Sequence, residues 1–217
     1  MNISHDPANL FRHRNRKWAA RWIWPTGQDA GPNQVALFRR VIDLPEARSC
    51  RLLITACSQY RLWVDGELID DGPSPSASHV MLYDQHELSL DAGQHLMAVL
   101  VRVGPVARPL RGALLAELVD DTGQVIDATG EPWRAMAGDA WRVDTFNFGM
   151  NKLSPFQEHC DGRRLPIDWQ SASFDDDAWA GAELIGAKPP LAVPWTHLIP
   201  RPIPPLERQT FRPNRIV

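Results

Sequence analysis

Cysteine is scarce in this sequence: three residues, Cys50, Cys57 and Cys160, in 217. None forms a CxxC pair, so neither a disulfide framework nor a structural zinc site is encoded. Residues 50 and 57 flank one predicted strand, whose extended length holds their Cα atoms too far apart for a bridge. No apolar run is long enough to span a bilayer. The first sixteen residues are polar and lack the apolar core of an export signal. Three reduced thiols and no export signal set the expectation of a cytoplasmic protein. A concentrated positive charge is also missing. The formal net charge is −3, with the arginines scattered, which gives no footprint for nucleic acid or an anionic membrane. The one dense basic run, residues 12–17, reads as a solvated terminal arm.

Helical periodicity is absent as well. No segment before residue 130 repeats its apolar positions at helical spacing. The spacings that mark common catalytic and metal sites are missing too. The seven histidines form neither HxH nor HExxH, and no GxSxG, GxGxxG or Walker pattern occurs. Serine-hydrolase, nucleotide-binding and zinc chemistry therefore have no foothold, and no cofactor or metal is expected.

What is abundant is tryptophan, nine residues, and proline, nineteen. Tryptophan organises a core or offers a flat platform to a sugar ring. Proline at this density suits edge strands, turns and linkers rather than helices. A first tryptophan cluster, Trp18, Trp22 and Trp24, ends at Pro25. Predicted strands then follow in quick succession over residues 35–43, 51–57 and 59–64. In the last of these Tyr60, Leu62 and Val64 share one face, and Arg61 and Trp63 the other. Asp65-Gly66 is a hairpin turn, with glycine at a positive-φ position. The return strand covers 67–69, and Asp71-Gly72-Pro73 opens a loop. Strands are expected again at 80–83, 87–90, 95–103, 112–119 and 124–128, with residues 95–103 buried on both faces. Strands so regularly spaced indicate an all-β sandwich or jelly roll. The expected division is an arm over 1–17, the sandwich over 18–187 and a proline-rich extension over 188–217, running extended along a surface. The tryptophans at 133, 141, 169 and 179 need packing partners, so residues after 130 are expected to complete the sandwich.

Five pieces, in order, carry a family resemblance. They are residues 20–24 (ARWIW) with Phe38-Arg39-Arg40, and residues 56–66 (ACSQYRLWVDG) with Asp71-Gly72-Pro73. Next come Tyr83-Asp84 with Leu90 and Gly93, residues 169–182 (WQSASFDDDAWAGA) and residues 200–206 (PRPIPPL). Together, over residues 18–207, they resemble the accessory β-sandwich region that precedes the catalytic barrel of α-L-rhamnosidases. The second and fourth are also similar to the sugar-binding jelly roll of β-galactosidase-type and β-glucuronidase-type enzymes. The resemblance implies a galactose-binding-like fold. It also implies that the catalytic carboxylates lie on an (α/α)6 barrel downstream, so no catalytic residue is carried over. Its implied partner is such a barrel.

The residues themselves support one kind of chemistry. Glycoside hydrolysis needs two carboxylates facing one bond. The candidate pairs Asp70/Asp71 and Asp120/Asp121, and the run 175–177, all fall in predicted turns, where aspartate serves the backbone. The run 175–177 is also the best calcium candidate, but lacks EF-hand spacing and reads as a cap. Carbohydrate binding by stacking remains, with Arg61 and Trp63 as first candidates and Tyr83 and Asp84 as second. The alternative for any of these aromatics is the core or a seam between domains. A stand-alone lectin-like protein is the competing reading.

Overall fold

The computed structural model describes residues 16–28, 30–76, 80–104, 112–145, 157–186, 197–205 and 207. Most of the expected arm and most of the expected extension, residues 1–15, 188–196 and 208–217, lie outside them.

The order of the strands is β1 (Ile23–Pro25), β2 (Val35–Leu44), β3 (Arg48–Cys57), β4 (Gln59–Val64), β5 (Glu67–Gly72) and β6 (Met81–Leu90). These are followed by β7 (Gly93–Arg102), β8 (Ala113–Asp120), β9 (Val125–Ala128), β10 (Arg134–Ala137), β11 (Ala180–Leu184) and β12 (Leu198–Pro200). The described residues contain no helix, hence none able to cross a membrane. The strands form a jelly-roll β-sandwich. One sheet runs β6-β3-β8-β1, the other β10-β2-β7-β4-β5, and β11 pairs with both β1 and β10 to link them. The long pairings that anchor the sheets are β2 with β7 and β3 with both β6 and β8, all antiparallel.

Local chemistry explains several elements. Asp65 and Gly66 take φ of 51° and 83°, the paired left-handed conformation of a type I′ turn between β4 and β5. Asp65 also accepts the Leu96 amide at 2.7 Å, which ties the turn to β7. Asp70, Asp71 and Gly72 form the end of β5 rather than a loop, so the return strand is longer than the sequence suggests. Likewise the two short strands expected over 80–90 are one, β6. In both places polar residues stay in strand conformation because neighbouring strands satisfy their backbone groups.

The main core fills the space between the sheets. Trp24 and Phe38 meet there at 6.0 Å, with Leu52, Ile54, Leu62, Val99 and Leu114 fully buried. Residues after 130 do two things. β10 and β11 enter the sheets and bring Trp133 into the core, while residues 157–179 lie outside the second sheet. There Trp169 and Trp179 cover Leu37, Leu96 and Ala98. This outer layer explains why β7 is buried on both faces. On the other sheet, residues 16–20 play the same part. The buried Glu117 accepts the amides of Ala19 and Ala20, at 2.6 and 3.1 Å, and pairs with Arg16.

Candidate functional site

Strand alternation decides where the four sequence-selected residues go. On β4, Arg61 and Trp63 point away from the core, as expected. Arg61 is half-exposed, and its Nε donates to Asp71 Oδ1 on β5 at 2.6 Å. Trp63 is half-buried, because its ring stands edge-on to Trp169 at 5.3 Å and 77°. Trp169 in turn stacks on Trp179 at 6.3 Å and 30°. Trp63 thus sits at the seam between the sheet and the 157–179 layer.

Tyr83 and Asp84 are not brought together. They are consecutive on β6 and face opposite sides of the sheet. Tyr83 is turned outward but buried under Trp18, whose ring meets it edge-on at 5.1 Å and 88°. Burial pushes its hydroxyl up to about 12, although Arg16 and Arg51 pull the other way. Asp84 is turned inward and is 2% exposed. It accepts from Tyr60 Oη at 2.6 Å and from Arg201 Nη1 at 3.3 Å. Asp70 of β5 is also buried and lies 3.9 Å from the same guanidinium nitrogen. His86 Nε2 is 3.2 Å from Tyr60 Oη, and burial lowers the His86 pKa against the opposing pull of Asp70 and Asp84. Burial, then the Asp84 charge, also raises the Tyr60 pKa, so it stays a phenol. Only Gly72 fits beside this cluster. A Cβ there would collide with Asp84 Oδ2 and stand 2.7 Å from the Tyr60 ring. Asp70 and Asp84 therefore form a closed polar core that holds Arg201, just beyond β12, and present no accessible carboxylate pair.

The other carboxylates of interest serve loops. Asp120 accepts from Thr122 Oγ1, the Gln124 amide and the Thr122 amide at 2.6, 2.8 and 3.0 Å. These bonds, the Thr122 hydroxyl first, hold its pKa below the usual range. Asp175 accepts the Asp177 amide at 2.9 Å. Asp176 accepts from Arg39 Nε at 2.7 Å. Arg39 is a functional residue of the fold that sequence reasoning missed. It is fully buried, donates to the carbonyls of Trp169, Ser171 and Phe174, and stacks on the Phe174 ring at 5.1 Å. Its signal was its parity with Leu37 on an outward face that proved covered. Among the described residues no group of three or more His, Cys, Asp or Glu side chains is placed to hold a metal ion.

The outward face of β4 and β7 is the arrangement that remains open. Arg61 lies opposite Leu100 and Gln59 opposite Arg102. Glu158 is exposed, accepts from Trp141 Nε1 at 2.8 Å and pairs with Arg102 Nη1 at 3.4 Å. Its charge also reaches Arg61. The Arg61 pKa is raised, first by the bond to Asp71 and in smaller part by Asp71 and Glu158 charge. Two half-exposed indoles thus stand among planar donors and acceptors. That set can hold hydroxyl groups and C–H faces, and it contains no nucleophile with an adjacent base. Trp141 and Glu158 were not singled out in the sequence, because only the fold brings them to Arg102.

No protein-family model matches the chain, and no curated protein matches it. Solved structures do. A GH78 family rhamnosidase of Bacillus sp. GL1 aligns over 88% of this chain at 32% identity, with a TM-score of 0.76. The α-L-rhamnosidase of Dictyoglumus thermophilum aligns over 87% at 19% identity, with a TM-score of 0.66. The chain spans only 20% and 23% of those two proteins. A lectin from Pleurotus ostreatus, solved in complex with GalNAc, aligns over 88% of this chain and 51% of its own, at 16% identity and a TM-score of 0.60. The last two likenesses are of fold alone. The chain resembles an accessory β-sandwich region of α-L-rhamnosidases, and the lectin likeness fits a galactose-binding-like fold.

Proposed function

We propose that this chain is a non-catalytic accessory module of a rhamnosidase-type glycoside hydrolase. It packs against a catalytic barrel and presents the Arg61–Trp63 face to carbohydrate. The observation that carries the reading is the alignment of 88% of this chain with only 20% of the Bacillus rhamnosidase, at 32% identity. The occupied carboxylates agree with it. Among the described residues Asp120 and Asp175 serve turns, Asp176 holds Arg39, and Asp70 and Asp84 lie against Arg201, so these candidates are not free to act as acid and base. On this reading Arg61 and Trp63, with Trp141 and Glu158 beside them, carry the sugar contact, while Tyr83 and Asp84 serve the packing that supports it. A cytoplasmic setting belongs to the same proposal, supported by three unbridged thiols.

The test is a titration of the chain with L-rhamnose and with GalNAc, following the indole resonances of Trp63 and Trp141. Saturable shifts, abolished by Arg61→Ala, are expected. No shift with either sugar removes the carbohydrate role and leaves the packing role alone.

The second reading, a stand-alone lectin-like protein, is favoured by the Pleurotus match, in which this fold makes up half of the lectin chain. A glycan array separates the two. Tight, selective binding by the chain alone supports the lectin, and weak or absent binding supports the module.

A further inference from the structure

We propose that a recess on the opposite face of the sandwich, between β6, β3 and β8, is a second subsite for a single neutral hexopyranose ring. The recess has a volume of about 260 Å³, room for roughly eight waters at their liquid volume. Leu53 and Val119, both buried, give it an apolar base. Arg16, Arg51, Gln85, Asp120, Asp121 and Thr122 line the rest of it, with Tyr83.

The charges of this lining decide the ligand class. The lining holds two arginines and two aspartates, whose formal charges sum to zero. Both arginines are already anchored. Arg16 pairs with the buried Glu117 and lies over the Trp18 ring at 5.3 Å. Arg51 Nε is 2.6 Å from Glu87 Oε1. Asp120 is fixed by three hydrogen bonds within its own turn. An anion entering here meets two carboxylates, and a cation meets two guanidinium groups. A purely apolar ligand would strand the polar rim. A neutral polyol accepts from the guanidinium and amide groups, donates to the carboxylates, and lays its C–H face on Leu53 and Val119. The fixed partners make the rim pre-organised, which cuts the cost of binding. No aromatic face is exposed in the recess for stacking, so the affinity belongs on the order of 1 mM.

The choice of a sugar rests on the accessory-module reading, and the experiment separates the two. The whole chain is titrated with methyl α-L-rhamnopyranoside and with methyl β-D-galactopyranoside. Amide spectra of the parent, Gln85→Ala and Arg51→Ala chains are followed. Both side chains are exposed, so folding is retained. Saturable shifts at the Gln85 side-chain amide and the Gly123 amide are expected. Each substitution should weaken binding roughly fivefold, the scale of one hydrogen bond. The absence of saturable shifts, or an affinity unchanged from the parent in both variants, overturns the subsite. Shifts confined to the Trp63 and Trp141 indoles also overturn it while upholding the module. Binding at Gln85 by a chain that also cleaves aryl glycosides upholds the subsite and overturns the module.

Discussion

At the scale of single residues, long-range partners govern what each charged group does. Arg39 is the clearest case. It is buried in the outer layer and donates to Asp176 and to three carbonyls of the 169–174 segment. Removing it strands those acceptors, and breaking a buried pair costs about 3–5 kcal/mol. Arg39→Ala is expected to lower the unfolding free energy by about 3 kcal/mol in urea, and to expose Trp169 and Trp179 to fluorescence quenching first. Two histidines carry opposite pH signatures. The His95 pKa is raised, chiefly by the 2.7 Å bond to Asp65. Its stabilisation is therefore complete below the ordinary imidazole value of about 6.5 and fades as pH rises through the folded value. His95→Gln should cost under about 1 kcal/mol at acidic pH, the range of a solvent-screened pair, and less at pH above that window. The His86 pKa is lowered by burial, so it disfavours the fold as pH falls below about 6.5. Thermal melts of His95→Gln and His86→Gln across pH, each compared with the parent, would show the two slopes with opposite sign. Parallel slopes would contradict the assignments.

At the scale of elements, the sequence displayed its strands where alternation was clean. The pattern Tyr60-Leu62-Val64 against Arg61-Trp63 placed β4 at its observed bounds, and Asp65-Gly66 placed its turn. It hid strands whose polar residues have remote partners. Asp70 to Gly72 read as a loop because Asp and Gly are loop residues. They stay in β5 because β4 pairs with them, while Arg201, far along the chain, reaches Asp70 and Asp84. The site was legible to the same degree. Parity sent Arg61 and Trp63 outward, but nothing local shows that Trp18 buries Tyr83 or that residues 157–179 bring Glu158 to Trp141. Two predictions belong here. Gly72→Ala forces a methyl against the Tyr60 ring and Asp84. It is expected to destabilise by about 1–3 kcal/mol, the cost of overpacking, in a denaturant titration. Arg201→Ala frees the end of β12, whose neighbours include the Met81 amide to His197 and the Arg201 amide to Tyr83, at 2.8 and 2.9 Å. Hydrogen exchange at Met81 should accelerate selectively in that variant, with β2 and β7 unaffected. Uniform acceleration would mean that the cluster supports the whole sandwich rather than this edge.

At the scale of the whole molecule, a two-sheet core is flanked by an outer layer on each side, and the polar clusters close inward. Asp70 and Asp84 are buried with Arg201, Asp120 closes a turn, and Asp176 holds Arg39. Among the described residues, the Arg61–Glu158 face and the recess beside Arg51 are open polar surfaces. Neither has the paired, facing carboxylates of a glycosidase. The same chain length corresponds to a fifth of the Bacillus rhamnosidase. On the proposed reading this chain binds and supports, and bond cleavage is not among its functions. The most direct measurement is turnover of aryl glycosides, led by the α-L-rhamnoside, by this chain alone. The account predicts no turnover above the buffer rate. Robust turnover, lost when Asp70, Asp84, Asp121 or Glu158 is replaced by its amide, would place catalysis within these residues and contradict it.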